Sequence, residues 1–209
     1  MKREGVLYVI SAPSGAGKTT LCKEMIDIFP KLRHSVSYTT RTPRSGEVHG
    51  RDYFFVGKEE FSRMAAAGEF AEWAEVHGNL YGTSLATLTQ SRAQGVDLLL
   101  DIDCQGARQL KERFGGGVYI FVLPPSLEEL RRRLDNRSSD APEVIERRIN
   151  NASGEIREAR WYDYIIVNDN FALAVEQLKS VLIAEQCRGG RLIEGLAACF
   201  DVLKPTSDI

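Results

Sequence analysis

Histidine and cysteine are scarce in this chain of 209 residues, three of the one and four of the other. The cysteines, Cys22, Cys104, Cys187 and Cys199, form no C-x-x-C pair and no zinc-ligand spacing. Neither a disulfide framework nor a structural zinc site is expected, and the four are read as reduced thiols. Nor is there an excess of positive charge. The 27 basic and 29 acidic residues give a formal net charge of −2, which excludes the global positive field of a nucleic-acid-coating protein, so any bound anion must be gripped locally. No apolar run approaches the roughly 18 residues of a membrane span. The apolar run over 6–10 is halted by Ser11-Ala12-Pro13 and is too short for a signal-peptide core, so the cytoplasm is the expected location. Repeats and low-complexity tracts are also missing. A content of 43% hydrophobic and 27% charged residues is ordinary globular composition, against disorder or coiled coil.

At roughly 150 residues per domain, the length fits one domain with an excursion or two. The β-branched apolar run 6–11 is followed by a Gly-rich break and then by Leu21, Cys22, Met25, Ile26 and Phe29 at helical spacing, which reads as strand, loop, helix. Residues 96–102, 118–123 and 164–167 are further buried-strand candidates, separated by stretches of crossover length. The expected fold class is therefore α/β, with a mostly parallel sheet flanked by helices. Two segments interrupt this core. Over 35–95 the pattern breaks into short pieces (35–39, 52–56, 70–76) separated by Pro43, Gly46, Gly50, Gly57 and Gly78, which predicts a small insertion with its own sheet. Over 126–160 the chain is helical and dense in arginine; a solvated charged face accounts for most of those side chains. Beyond Gly189-Gly190, the spacing of Leu192, Ile193, Leu196, Phe200 and Leu203 predicts an appended amphipathic helix.

Between the first strand and first helix lies Ser11-Ala12-Pro13-Ser14-Gly15-Ala16-Gly17-Lys18-Thr19-Thr20. The residues Ala12, Pro13, Ser14, Gly15, Ala16, Gly17, Lys18, Thr19 and Thr20 are the candidate ATP-binding set. Gly15 and Gly17 let the backbone turn N–H groups toward phosphate oxygens, and the helix opening at Lys18 adds its positive dipole end. Lys18 then reaches the outer phosphates, while the Thr19 hydroxyl is a Mg²⁺ ligand. Ala12 stands where the P-loop pattern has glycine; any small residue with ordinary backbone angles suffices there. Leu98-Leu99-Leu100-Asp101-Ile102-Asp103 ends a buried strand in a carboxylate, so Asp101 would orient Mg²⁺ directly or through water. Asp103 points the same way or caps the following helix.

The segment Ser35-Val36-Ser37-Tyr38-Thr39-Thr40-Arg41-Thr42-Pro43-Arg44-Ser45-Gly46 is followed by Gly50-Arg51-Asp52-Tyr53-Phe54, Glu69-Phe70-Ala71-Glu72-Trp73 and Tyr81-Gly82-Thr83-Ser84. With the phosphate loop before them, these motifs resemble the guanylate kinase family from about residue 5 to 185. The resemblance implies a guanylate-kinase-like domain over 4–186. Its core would be 4–34, 96–125 and 161–186, with a GMP-binding insertion at 35–95, a lid at 126–160 and an extension at 187–209. It also implies ATP + GMP ⇌ ADP + GDP, Mg²⁺ as cofactor, and a place in purine nucleotide metabolism. ATP and GMP are the implied substrates, with dGMP alongside; no nucleic-acid or membrane partner is expected, and oligomeric state is open.

By resemblance, Arg41 and Arg44 hold the GMP phosphate with Ser37 and the hydroxyls of Tyr53 and Tyr81. Guanidinium forks near a proline-stiffened turn suit a phosphate, although two such arginines without the surrounding pattern read better as surface residues. By the same resemblance Glu72 reads the guanine N1–H and N2–H₂ pair, a donor pair adenine does not offer. Asp103 assists, and the Thr83 hydroxyl bonds O6; buried polar groups of this kind reject a base that leaves them unpaired. The resemblance also implies that Arg137 and Arg148 belong to the lid and, with Lys18 and Arg41, form the catalytic set. The GMP phosphate is already largely a dianion near neutrality, so no histidine base is called for and His34, His49 and His77 are given turn or surface roles. The alternative from another class is a catalytically inactive guanylate-kinase-like module that binds phosphopeptides. Lys18, Thr19 and Asp101 argue against it, and Glu72 with Thr83 argues against a kinase for another nucleotide.

Overall fold

The computed structural model of the chain describes residues 3–76, 78–136, 142–197, 199–200 and 203. Along the chain run β1 (Leu7–Ser11), α1 (Lys18–Ile28), β2 (Leu32–His34), β3 (Tyr38–Thr39), β4 (Phe54–Phe55), α2 (Lys58–Ala66), β5 (Phe70–Val76), β6 (Asn79–Ser84) and α3 (Leu85–Ala93). Then follow β7 (Asp97–Asp101), α4 (Cys104–Arg113), β8 (Val118–Leu123), α5 (Leu127–Asp135), α6 (Pro142–Glu158), a 3-10 turn (Ala159–Trp161), β9 (Tyr164–Val167), α7 (Phe171–Gln186) and α8 (Gly189–Leu196).

The first sheet has the order β2-β7-β1-β8-β9, and all its pairings are parallel. Alternation along each strand sorts its side chains between two apolar layers. Tyr8, Ile10, Leu99, Ile120 and Val122 pack with Leu21 and Met25 of α1 and Leu178 of α7. Leu7, Val9, Leu98, Leu100 and Phe121 pack with Leu110 of α4 and Leu88 of α3 on the opposite face. Such double coverage explains why β1 and β8 read as unbroken apolar runs. The second sheet, β4-β3-β6-β5, is mixed: β3 pairs parallel with β4 and antiparallel with β6, which pairs antiparallel with β5. It rests on its own cluster of Phe61, Met64 and Phe70. Helices α5 and α6 form a third cluster through Leu130, Leu134, Ile145 and Ile149.

Several expectations are revised in detail. The pieces at 35–39 and 52–56 shrink to two paired residues each, and β2 and β6 are additional strands. The appended helix starts on the glycines themselves and stops at Leu196, which is possible because a helix's first N–H groups need no intrahelical partner. Phe200 lies beyond it and is exposed. No helix among the described residues is long and apolar enough to cross a membrane.

Candidate active site

The phosphate loop connects the C-terminal end of β1 to α1, in the crevice where open parallel sheets place ligands. Gly17 adopts φ +96°, and a side chain on it would run into Asn168 Nδ2; glycine is required there on both counts. That Asn168 amide donates to Ala16 O at 2.8 Å, while its own N–H donates to Leu123 O at 2.7 Å. The residue after β9 thus staples the loop to the sheet. Ala12 packs its methyl against the core, which accounts for a small apolar residue in the place of glycine. Pro13 O accepts from Ala16 N at 3.1 Å, closing the turn between them, and Ser14, Thr19 and Thr20 are exposed.

Lys18 forms an ion pair with Asp101 and donates to Ile102 O at 2.9 Å. Burial works against its charge, but Asp101 holds its pKa above the ordinary value. Thr19 Oγ1 lies 3.5 Å from Asp101 Oδ2. Both readings of Asp103 meet here: its carboxylate caps α4, accepting from Gly106 N at 2.8 Å, and its charge is felt by Lys18, Glu72 and Glu155.

Glu72 is 3% exposed on β5 and accepts from Thr83 Oγ1 of the neighbouring β6 at 2.5 Å. Burial pushes its carboxyl up to about 7; the Thr83 hydrogen bond opposes the rise and Asp103 adds to it. Its other oxygen lies over Gly106 of α4, where any side chain would collide with it. Gln109 extends the same junction, donating to Trp73 O at 2.8 Å. Adjacent Cys104 is pushed up to about 12 by burial and so is a neutral thiol.

A second polar group surrounds Arg41. Its Nη2 donates to Glu47 at 2.8 Å and its Nη1 to Thr42 O at 2.8 Å. The guanidinium lies 5.4 Å from the Tyr53 ring centroid and shares a hydrogen bond with Tyr81, and the Tyr53 and Tyr81 rings meet edge-on at 5.9 Å. Glu47 also accepts from Arg44 N at 2.7 Å, so one carboxylate fixes the course of the loop carrying both arginines. Ser37 adjoins β3, and its carbonyl accepts from Phe54 N at 2.9 Å. Tyr53 feels Asp101 and Lys18 electrostatically, so this group faces the phosphate loop.

Arg137 lies outside the described residues, as does His77. Arg148 is half-buried on α6 beside Ile149. Other arginines of this segment have structural partners: Arg131 joins Glu146 across α5 and α6, and Arg132 pairs with Glu129. Arg133 also pairs with Glu129 and reaches Asn168 O at 2.9 Å. Sequence reasoning assigned no role to Asn168, Gly106, Glu47 or Glu155, the last of which accepts from the Ser14 N–H. Asn168 directly follows the strand expected at 164–167; the other three carried no local signal.

A phosphate loop at the C-terminal end of the central strand of a parallel sheet, faced by an arginine–tyrosine group and a buried carboxylate on a second sheet, defines the class of phosphate-loop nucleotide kinases. The guanylate kinase family profile matches residues 4–185. A guanylate kinase of Geobacter sulfurreducens is 74% identical over 202 residues, covering 97% of this chain and 100% of the relative. One from Syntrophotalea carbinolica is 59% identical, covering 97% and 96%. The crystal structure of guanylate kinase from Anaplasma phagocytophilum superposes with a TM-score of 0.75 at 38% identity, covering 96% of this chain and 97% of that one. The chain belongs to the guanylate kinase family.

Proposed function

We propose that this guanylate kinase, an ATP:GMP phosphotransferase, works by setting two phosphate sites opposite one another across the crevice. The observation that carries the reading is Glu72: a buried carboxylate, bonded to Thr83 and close to Asp103, on the sheet whose strand β6 carries Tyr81 and whose strands β3 and β4 lie next to Arg41 and Tyr53. Two carboxylate oxygens match the adjacent N1–H and N2–H₂ of guanine, and the Thr83 hydroxyl suits O6. The intact Lys18–Asp101 pair and the 74% identical relative support catalysis over an inactive binding module.

In this scheme the loop 12–20 cradles the ATP phosphates, which take Lys18 from Asp101 and leave that carboxylate free. Arg41 and Arg44, with Ser37, Tyr53 and Tyr81, hold the GMP phosphate in line with the γ-phosphoryl group. Near neutral pH that phosphate is largely a dianion, so it needs placement and charge neutralisation and no general base. The lid arginines Arg137 and Arg148 supply positive charge to the transferring group. Thr19 and Asp101 offer hard oxygen donors 3.5 Å apart, a partial set that fits Mg²⁺ completed by phosphates and water. When bound, the ion neutralises charge on the β- and γ-phosphates. Segments 35–95 and 126–160 are read as the GMP-binding insertion and the lid, and the cytoplasm as the place of work.

With purified protein, ATP, Mg²⁺ and GMP, Lys18→Ala is expected to lower turnover by roughly 10² or more, the scale of losing one charge-stabilising donor. Its circular dichroism should match the parent. Undiminished turnover in a folded Lys18→Ala protein would remove the loop from the chemistry.

A further inference from the structure

Away from the phosphate loop, at the opposite ends of the same strands, lies a cavity of about 950 Å³. Gly5 and Leu7 bring the start of β1 to it, and Gly117 the residue before β8. Its volume is that of a small-molecule site. Arg3, Arg92, Arg188 and Arg191 all line it, and Glu4 is the single carboxylate of its described wall. Four guanidiniums around one cavity exceed by one charge the three carboxylates paired with them, Asp97, Glu185 and Glu4.

Their arrangement is built from behind by two buried carboxylates that do not line the cavity. Asp97 is 1% exposed and accepts from both Nη atoms of Arg3 at 2.8 Å, from Val6 N at 2.9 Å and from Gln186 at 3.2 Å. Glu185 is 3% exposed; it accepts from the Tyr164 hydroxyl at 2.8 Å and from Arg191 Nη2 at 3.2 Å, with Arg188 at 3.6 Å. Arg191 Nε is buried with no hydrogen-bond partner among the described residues, an orphaned donor of the kind that a bound group satisfies. Arg92 meets Glu4 through Nε at 2.7 Å, a pair at the open rim, since Glu4 is 66% exposed. Gly116 and Gly117 add bare backbone to the lining, Gly116 beside the Arg92 guanidinium, and the first turn of α8 brings Gly190 to the border. Several forked cations, an unsatisfied N–H and bare backbone in the lining suit a condensed phosphate chain better than a lone monoanion.

We propose that this cavity is a second anion site, separate from the ATP and GMP sites, that takes a di- or triphosphate chain, either free or as part of a nucleotide. Residues 188–191, beyond the stretch matched by the family profile, supply half of its arginines.

The test titrates tripolyphosphate, ATP and GTP by calorimetry into Lys18→Ala protein, with and without Arg92→Gln and Arg188→Gln together. Hydrogen exchange locates the contact. Tripolyphosphate is expected to bind the Lys18→Ala chain, protect residues 3–7, 116–117 and 188–191, and lose at least tenfold in affinity in the arginine variant. Tighter binding of either nucleotide would add recognition of the nucleoside, and equal binding would leave the phosphate chain as the recognised group. The parent carrying only the two arginine changes should keep its turnover with GMP; should it misfold, Arg188→Glu at an exposed position replaces it. Three results would each overturn the proposal: no binding to the Lys18→Ala chain at millimolar concentration, protection confined to residues 11–20, or unchanged affinity in the arginine variant.

Discussion

In the proposed scheme Glu72 concentrates the chemistry of recognition in one buried carboxyl. Its ordinary value is 4.5 and it is pushed up to about 7 in the folded protein. Between those values the folded chain binds more protons at this site than the unfolded chain, so its contribution to stability falls as pH rises, by about 3 kcal/mol in all. Glu72→Gln removes that dependence. Denaturant melts without ligand are expected to show the variant gaining on the parent between pH 4.5 and 7, and a constant difference would contradict the burial argument. Guanine supplies the missing N–H donors and favours the ionised carboxylate, so GMP binding near pH 6 should release more protons in the parent than in the variant. Calorimetry in two buffers of different ionisation enthalpy reads that difference. The base-reading role proposed for Glu72 and Thr83 comes from the resemblance of the motifs they stand in. The electrostatic state of Glu72 was not legible in the sequence, since burial depends on α4 lying over β5, and Gly106, which permits that approach, is an ordinary glycine in one dimension.

Helices and strand ends hold the phosphate loop still. Asn168 joins the residue after β9 to Ala16 O and Leu123 O, and Arg133 of α5 holds its carbonyl. Asn168→Ala is expected to cost about 1–2 kcal/mol of stability, the scale of a buried hydrogen bond, and to raise KM for ATP as the loop loosens. Thermal melts and exchange protection over 13–18 measure both; an unchanged loop would mean the bond is incidental. Arg148→Ala on α6 tests the lid instead, with turnover expected to fall by roughly 10³ or more, the scale of a transition-state arginine, and ATP affinity to stay within severalfold. Equal losses in both would assign Arg148 to ground-state binding. Strands β5, β8 and β9 were readable to the residue because long runs of apolar or alternating side chains define them. Strands β2 and β6 were not: β2 has one buried residue, Leu32, in three, and Gly82 sits in β6 against Phe61 and Phe70, leaving a pattern without clean alternation.

For the whole molecule, function follows from two sheets meeting at one crevice. The parallel sheet brings the phosphate loop and Asp101 to adjacent strand ends, while the second sheet carries Glu72, Thr83 and Tyr81, with Tyr53 just before its strand β4. Helix α4 links them, capped by Asp103 and lying against β5. The phosphate loop was legible as a local motif, strand then glycines then helix, whereas the closeness of Glu72 and Asp103 is a product of packing that only the resemblance anticipated. The direct test of the guanine-reading site is ADP formation from ATP and Mg²⁺ with GMP, AMP, CMP and UMP supplied separately to the parent and to Glu72→Gln. The expected result is turnover with GMP alone in the parent, and a fall in kcat/KM for GMP of about 10–100-fold in the variant, with KM for ATP unchanged. Comparable turnover with another monophosphate, or a Glu72→Gln protein as efficient on GMP as its parent, would contradict it.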